Sequence, residues 1–201
     1  MAVAVTPPVP EGMDLEEKAS RRETPPPAPW ALRTVLGAMG VAGSALASGG
    51  QALGLSADLV VRPAPSWGVR TELFRLWPRS LALAEGEAQW RRLGVAAGLL
   101  GRVPQSWGSW IGDASAVLSY TSVEGRNFAV NSQSNGWVPG GRLALGLDLV
   151  IAAPWSVALE LAGILWASDE QAVAKESAAR RGLPRADLLL RLSVAFEKNF
   201  Q

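Results

Sequence analysis

One feature restricts this chain more than any other: a two-residue alternation sustained over long segments. In "GRLALGLDLVI" the residues Leu143, Leu145, Leu147, Leu149 and Ile151 share one parity, and Arg142, Ala144, Gly146 and Asp148 share the other. "QALGLSADLVVR" sets Leu53, Leu55, Ala57, Leu59 and Val61 against Gly54, Ser56, Asp58 and Arg62. "LLLRLSVAFEKNF" sets Leu188, Leu190, Leu192, Val194 and Phe196 against Asp187, Arg191, Ser193, Ala195 and Glu197. Period two is the pleat of a β-strand, not the turn of a helix. Eight such segments are expected, at roughly 30–44, 51–62, 67–77, 89–103, 107–122, 140–152, 155–167 and 186–200. Each exceeds the usual soluble strand of about five or six residues.

The connections alternate in kind. "RPAPSWG" and "RVPQSWG" are near-copies about forty residues apart, and "AAPWS" repeats them in shortened form; these follow the second, fourth and sixth segments. The other connections are longer: "ALASGG", "SLALAEGEAQ", "EGRNFAVNSQSNGWVP" and "DEQAVAKESAARRGLPR". Short turns at one rim and long loops at the other describe an up-and-down meander. The expected fold is all-β, an eight-stranded antiparallel barrel over residues 30–201, and its strands are long enough to cross a bilayer.

The apolar parity is nearly uninterrupted Leu, Val, Ala and Ile, whereas the other mixes small residues with charges. A soluble barrel would expose the charged parity. Here the small-plus-charged parity suits a narrow interior, and the aliphatic one suits lipid, since so greasy a surface in water would aggregate. Nine Trp fall near strand ends. Trp30, Trp67, Trp107, Trp110 and Trp155 lie beside the short turns, and Trp77, Trp90, Trp137 and Trp166 near the long loops; two such bands are expected of an interfacial girdle. The polar parity places Arg33, Arg70, Arg92, Arg142 and Arg191 on the same side as Asp58, Glu72, Asp113, Asp148 and Glu160. Eight strands leave room only for side chains, so these charges are expected to pair and close the lumen. Leu147 is expected mid-strand on the lipid side, with Asp148 inside and paired to Arg70 or Arg142.

Composition narrows the chemistry. The chain has 201 residues, 48% hydrophobic and 18% charged, enough to fold and too apolar for general disorder. It contains no Cys and no His, which removes disulfides, thiolate metal sites and the commonest general base. The 19 basic and 18 acidic residues give no electrostatic reason for a nucleic-acid partner. The glycine pairs "SGG" and "PGG" open no helix after a strand, so they are turn material and not a phosphate loop. No enzyme activity, metal or cofactor is expected.

Residues 1–29, with "TPPVPEGMDLEEKASRRETPPPAP", read as a Pro-rich, charged linker, expected to be disordered. Met1 to Pro10 has neither a basic start nor a continuous apolar stretch, so it does not read as a signal peptide, and the sequence is expected to be truncated or mis-started if the protein is exported. Thr34 to Ala57 is charge-free and long enough to span a bilayer as a helix, but its six glycines and "ASGGQ" favour a hairpin. In the last loop, Ser168 and Gln171 have capping-box spacing, "QAVAKESAARR" is helix-forming, and Gly182 with Pro184 supplies a stop; a short helix is expected. Arg180, Arg181 and Arg185 gather at its end, where they could meet lipopolysaccharide phosphates.

The strand count, the rim asymmetry and a last strand with Phe196 and Phe200 on the lipid parity resemble the small bacterial outer-membrane barrels of the OmpA transmembrane-domain type. That resemblance implies an outer-membrane location, a lipid bilayer as surroundings and the barrel assembly machinery as a biogenesis partner. Members of the family usually end in an aromatic residue, whereas here Gln201 follows Phe200. The expected role is structural or adaptor-like, carried by the surface loops, with a small pore or transporter and a soluble lipid- or small-ligand-binding barrel as alternatives.

Overall fold

A computed structural model of the chain describes residues 30–43, 51–83, 86–128, 133–167, 171–173 and 180–200. The linker expected over 1–29 and the loop "ALASGG" lie outside the described residues. Eight strands form one closed barrel: β1 (Ala31–Gly43), β2 (Gln51–Ala64), β3 (Trp67–Leu83), β4 (Gly86–Gln105), β5 (Gly108–Arg126), β6 (Gln133–Ala152), β7 (Trp155–Trp166) and, at the C-terminus, β10 (Ala186–Asn199). A small ribbon pairs β8 (Gln171–Val173) with β9 (Arg180–Gly182). Each barrel strand runs antiparallel to its neighbours. The ring closes where β1 meets β10, from Ala31 opposite Asn199 to Gly43 opposite Asp187. Closure pairs every barrel strand on both sides and leaves the barrel no sheet edge to aggregate.

Alternation fixes the two faces. Leu145 on the outer face is 72% exposed, while Arg142 on the inner face is 6% exposed. The same contrast runs along β2, where Leu53, Leu55, Leu59 and Val61 face out and Ser56, Asp58, Val60 and Arg62 face in. The barrel is therefore inverted relative to a soluble one, with aliphatic side chains outside and charge within.

The Trp-Gly repeats mark two-residue turns at Pro65–Ser66 and Ser106–Trp107, with Ala153–Pro154 as the third. Gly68 is the first inward residue of its returning strand, whereas in the second repeat that place falls to Ser109, and both glycines pack hard against the neighbouring strand. A Cβ on Gly68 would lie 2.7 Å from Arg62 Cγ, and one on Gly108 would collide with the Asp148 carbonyl oxygen. The turns also tie sideways: the Ser66 carbonyl accepts from the Arg102 amide at 2.7 Å, and the Pro154 carbonyl from the Glu197 amide at 3.1 Å.

Several strands outrun the sequence reading. "SLALAEGEAQ" is not a long loop, because β3 and β4 stay paired from Arg79 opposite Trp90 to Leu83 opposite Gly86. The pairing register shifts between Leu76 and Arg79, around Trp77–Pro78, so inward parity changes from even to odd numbers and the pattern looks lost from sequence. β6 likewise begins at Gln133 instead of residue 140. Leu147 is thus not mid-strand; it lies near the short-turn end of β6. The helix expected in the last loop is replaced, at Gln171–Val173 and Arg180–Gly182, by the β8–β9 ribbon, while Ser168 and residues 174–179 lie outside the described residues. A helix that short is marginal in water, and cross-strand pairing satisfies the same backbone groups. Nor is Thr34–Ala57 helical, since its ends form β1 and β2. Among the described residues no helix is long and apolar enough to cross a membrane, which says nothing of strands.

Candidate functional site

The candidate site is the lumen, where inward side chains from all eight strands meet. Its charges fall into three tiers instead of one continuous network. Nearest the short turns, Arg33 grips Asp148 with two hydrogen bonds of 2.5 and 2.6 Å. Arg102 lies 3.7 Å from the same carboxylate and donates to the Ser109 hydroxyl at 2.7 Å. Glu197 pairs with Arg62 and stands 3.7 Å from Arg33. Asp148 therefore pairs with Arg33, not with Arg70 or Arg142 as the sequence reading has it. Its place near the end of β6 sets it level with the first inward residues of β1, below those arginines.

The middle tier holds Arg70, Arg142 and Arg191 against Asp58, Glu72, Asp113 and Glu160. Glu160 is its hub, accepting from Arg70 at 2.8 Å, from Arg191 at 3.3 Å and from Arg142. Asp58 bridges Arg70 at 2.5 Å and Arg191 at 2.8 Å. Glu72 binds Arg142 and lies 3.4 Å from Arg70. Asp113 is held by the Ser115 hydroxyl at 2.8 Å, with Arg142 at 3.8 Å. All seven side chains are buried. Each fork-shaped guanidinium meets two or more carboxylates, the arrangement that compensates charge taken out of water.

The upper tier lies toward the rim opposite the short turns. Asp187 accepts two bonds from Arg79 at 2.7 and 3.2 Å, one from Arg92 at 2.9 Å and one from the Trp166 indole N–H at 2.8 Å. Arg92 also donates to Thr121 at 3.3 Å and lies over the Trp166 ring at 4.3 Å, while Arg79 lies 5.7 Å from the Trp90 ring centroid. An apolar layer including Met39, Phe74, Leu76, Val138, Ile164 and Leu189 separates this tier from the middle one. Gly94 makes room for it, since a Cβ there would overlap the Phe74 ring. Between the middle and lower tiers is a cavity of ≈ 20 Å³, about the space of one water.

The aromatic residues divide unevenly. Trp30, Trp67, Trp107, Trp110 and Trp155 face outward at the short-turn rim. There Trp30 stacks on Phe200 at 4.3 Å, Trp155 meets Phe196 edge-on at 5.2 Å and Trp107 meets Trp110 at 6.2 Å. At the opposite rim Trp77 and Trp137 face outward, Trp137 against Tyr120. Trp90 and Trp166 belong to no outer band, for both are buried inside the barrel. The parity rule that turns Arg92 inward turns Trp90 inward with it, and Glu160 does the same for Trp166, so that signal is present in the sequence. Arg62, Arg102, Asp187 and Glu197 follow the same rule and complete the tiers. Arg79 does not, because the shift at Trp77–Pro78 hides it. Among the described residues, no group of acids is arranged to hold a metal ion.

No protein-family model matches the chain, and neither does any curated protein sequence. Solved structures do resemble it. The attachment invasion locus protein Ail of Yersinia pestis superposes with a TM-score of 0.50 at 10% identity, over 85% of this chain and 99% of Ail. A second structure of Ail, in complex with the heparin analogue sucrose octasulfate, gives the same values. A major outer membrane protein from Thermus thermophilus gives 0.56 at 10% identity, over 83% of this chain and 99% of that one. At such identity the likeness is one of fold, and the fold this chain carries is that of the small eight-stranded outer-membrane β-barrels.

Proposed function

We propose that the protein works in the bacterial outer membrane as a closed barrel that displays its long loops, in a structural or adaptor role and not as a pore. The observation that carries this reading is the stacking of the lumen: ion-paired tiers and an apolar layer lie across the path that any solute would take. An ion entering the apolar layer would lose its water without gaining a partner, which costs several kcal/mol or more. The outer belt of Leu and Val supports a bilayer as the surroundings, and the outward Trp residues would anchor it at the interfaces. Assembly would use the barrel assembly machinery common to such folds. In composition, Arg180, Arg181 and Arg185 would suit lipopolysaccharide phosphates.

Planar-bilayer recording of the refolded protein tests the closed lumen. A flat current at all moderate voltages is expected. Steady single-channel steps would replace the scaffold reading with that of a small pore.

A further inference from the structure

The cavity between the lower and middle tiers is lined unequally. Arg33, Arg62, Arg70, Arg102 and Arg191 border it, against only Asp58 and Glu160. Both carboxylates are already engaged: Asp58 by Arg70 and Arg191, and Glu160 by Arg70, Arg142 and Arg191. The donors are not. The Nε–H groups of Arg62, Arg70 and Arg191 are buried without a hydrogen-bond acceptor among the described residues, and all three arginines line this cavity. The lower tier itself sets three guanidiniums, Arg33, Arg62 and Arg102, against two carboxylates, Asp148 and Glu197.

We infer that this cavity is a binding site for a single chloride ion. A buried N–H with no acceptor is costly, and five guanidiniums around one small space favour an occupant that accepts and does not donate. Water would bring two protons into a space bordered mainly by donors. A halide brings none, accepts from several donors at once, and offsets the local excess of guanidiniums on the cavity lining. The ≈ 20 Å³ of space suits an occupant of about that size. Entry is from the short-turn mouth, where the Arg102 and Glu197 side chains keep 18% and 21% of their surface exposed. Aliphatic walls such as Val60 and Leu100 keep the ion's field unscreened.

Bromide replaces chloride in such a site and scatters anomalously. Crystals of the wild-type barrel grown in sodium bromide should show an anomalous peak inside the cavity, within hydrogen-bonding distance of the Arg62, Arg70 or Arg191 guanidinium; a cavity without that peak overturns the proposal and leaves water as the occupant. In solution, the urea midpoint in detergent should rise to a plateau as chloride replaces gluconate at constant ionic strength. Arg62→Met should fold, because Glu197 keeps Arg33 and Arg102 nearby, and it should lose that chloride-dependent rise. An equal rise in wild type and variant would also overturn the site, since it would place the halide effect elsewhere.

Discussion

The two rims of the barrel use the same residue for opposite purposes. At the short-turn rim Trp30, Trp67, Trp107, Trp110 and Trp155 all point outward, each 45–53% exposed. At the long-loop rim Trp90 and Trp166 point inward, at 1% and 5% exposure, against Arg79 and Arg92. An indole has an apolar body and a single N–H, so it can serve either as an interfacial anchor or as a wall for a buried cation. Parity decides which. The short-turn rim is an anchor, whereas the long-loop rim spends half of its Trp on closing the lumen under the loops.

That contrast can be broken most severely at Asp187, on which Arg79, Arg92 and the Trp166 N–H all converge. Asp187→Ala removes the carboxylate and leaves two buried guanidiniums facing its place, at a cost of about 3–5 kcal/mol in urea unfolding from detergent. Glu124→Ala is the matched control, because its pair with Arg126 is exposed and such pairs contribute only about 0–1 kcal/mol. Equal midpoints for the two variants would mean that the upper tier is not buried. The Trp residues themselves sharpen the comparison. Trp166→Ala should cost about 3–5 kcal/mol, as for a large buried aromatic, whereas Trp155→Ala should lose little beyond its edge contact with Phe196, about 0.5–1.5 kcal/mol. Comparable losses from both would erase the difference between rims.

Much of this is legible in the sequence, for a physical reason. A strand buried on one face must alternate, so "GRLALGLDLVI" reveals its wall and its lumen without any tertiary information. The same rule places Trp90 beside Arg92, yet strand-end position suggests a girdle; parity is the stronger guide because it is set by backbone geometry. Arg79 is hidden by the register shift at Trp77–Pro78, which only the paired strand reveals. Partners across the lumen are hidden for another reason. Whether Asp148 meets Arg33 or Arg70 depends on strand stagger and arginine reach, neither of which is local. At Gln171–Val173 and Arg180–Gly182, the two described ends of the expected helix, cross-strand pairing takes the place of helix, as happens when a segment is too short to hold a helix alone.

The central claim is that charge fills the inside of this barrel while its aliphatic face meets lipid. Asp148→Ala tests it most directly, measured as the urea midpoint of protein refolded into liposomes beside Leu145→Arg. With Asp148 removed, Arg33 loses both bonds of its bidentate pair and Arg102 a nearby carboxylate, so a loss of about 3–5 kcal/mol is expected. Leu145→Arg should impair insertion by about 2–4 kcal/mol, as for a cation near the bilayer midplane. A silent Asp148→Ala beside a damaging Leu145→Arg would put Asp148 in water and Leu145 in a core, and would contradict the inverted barrel.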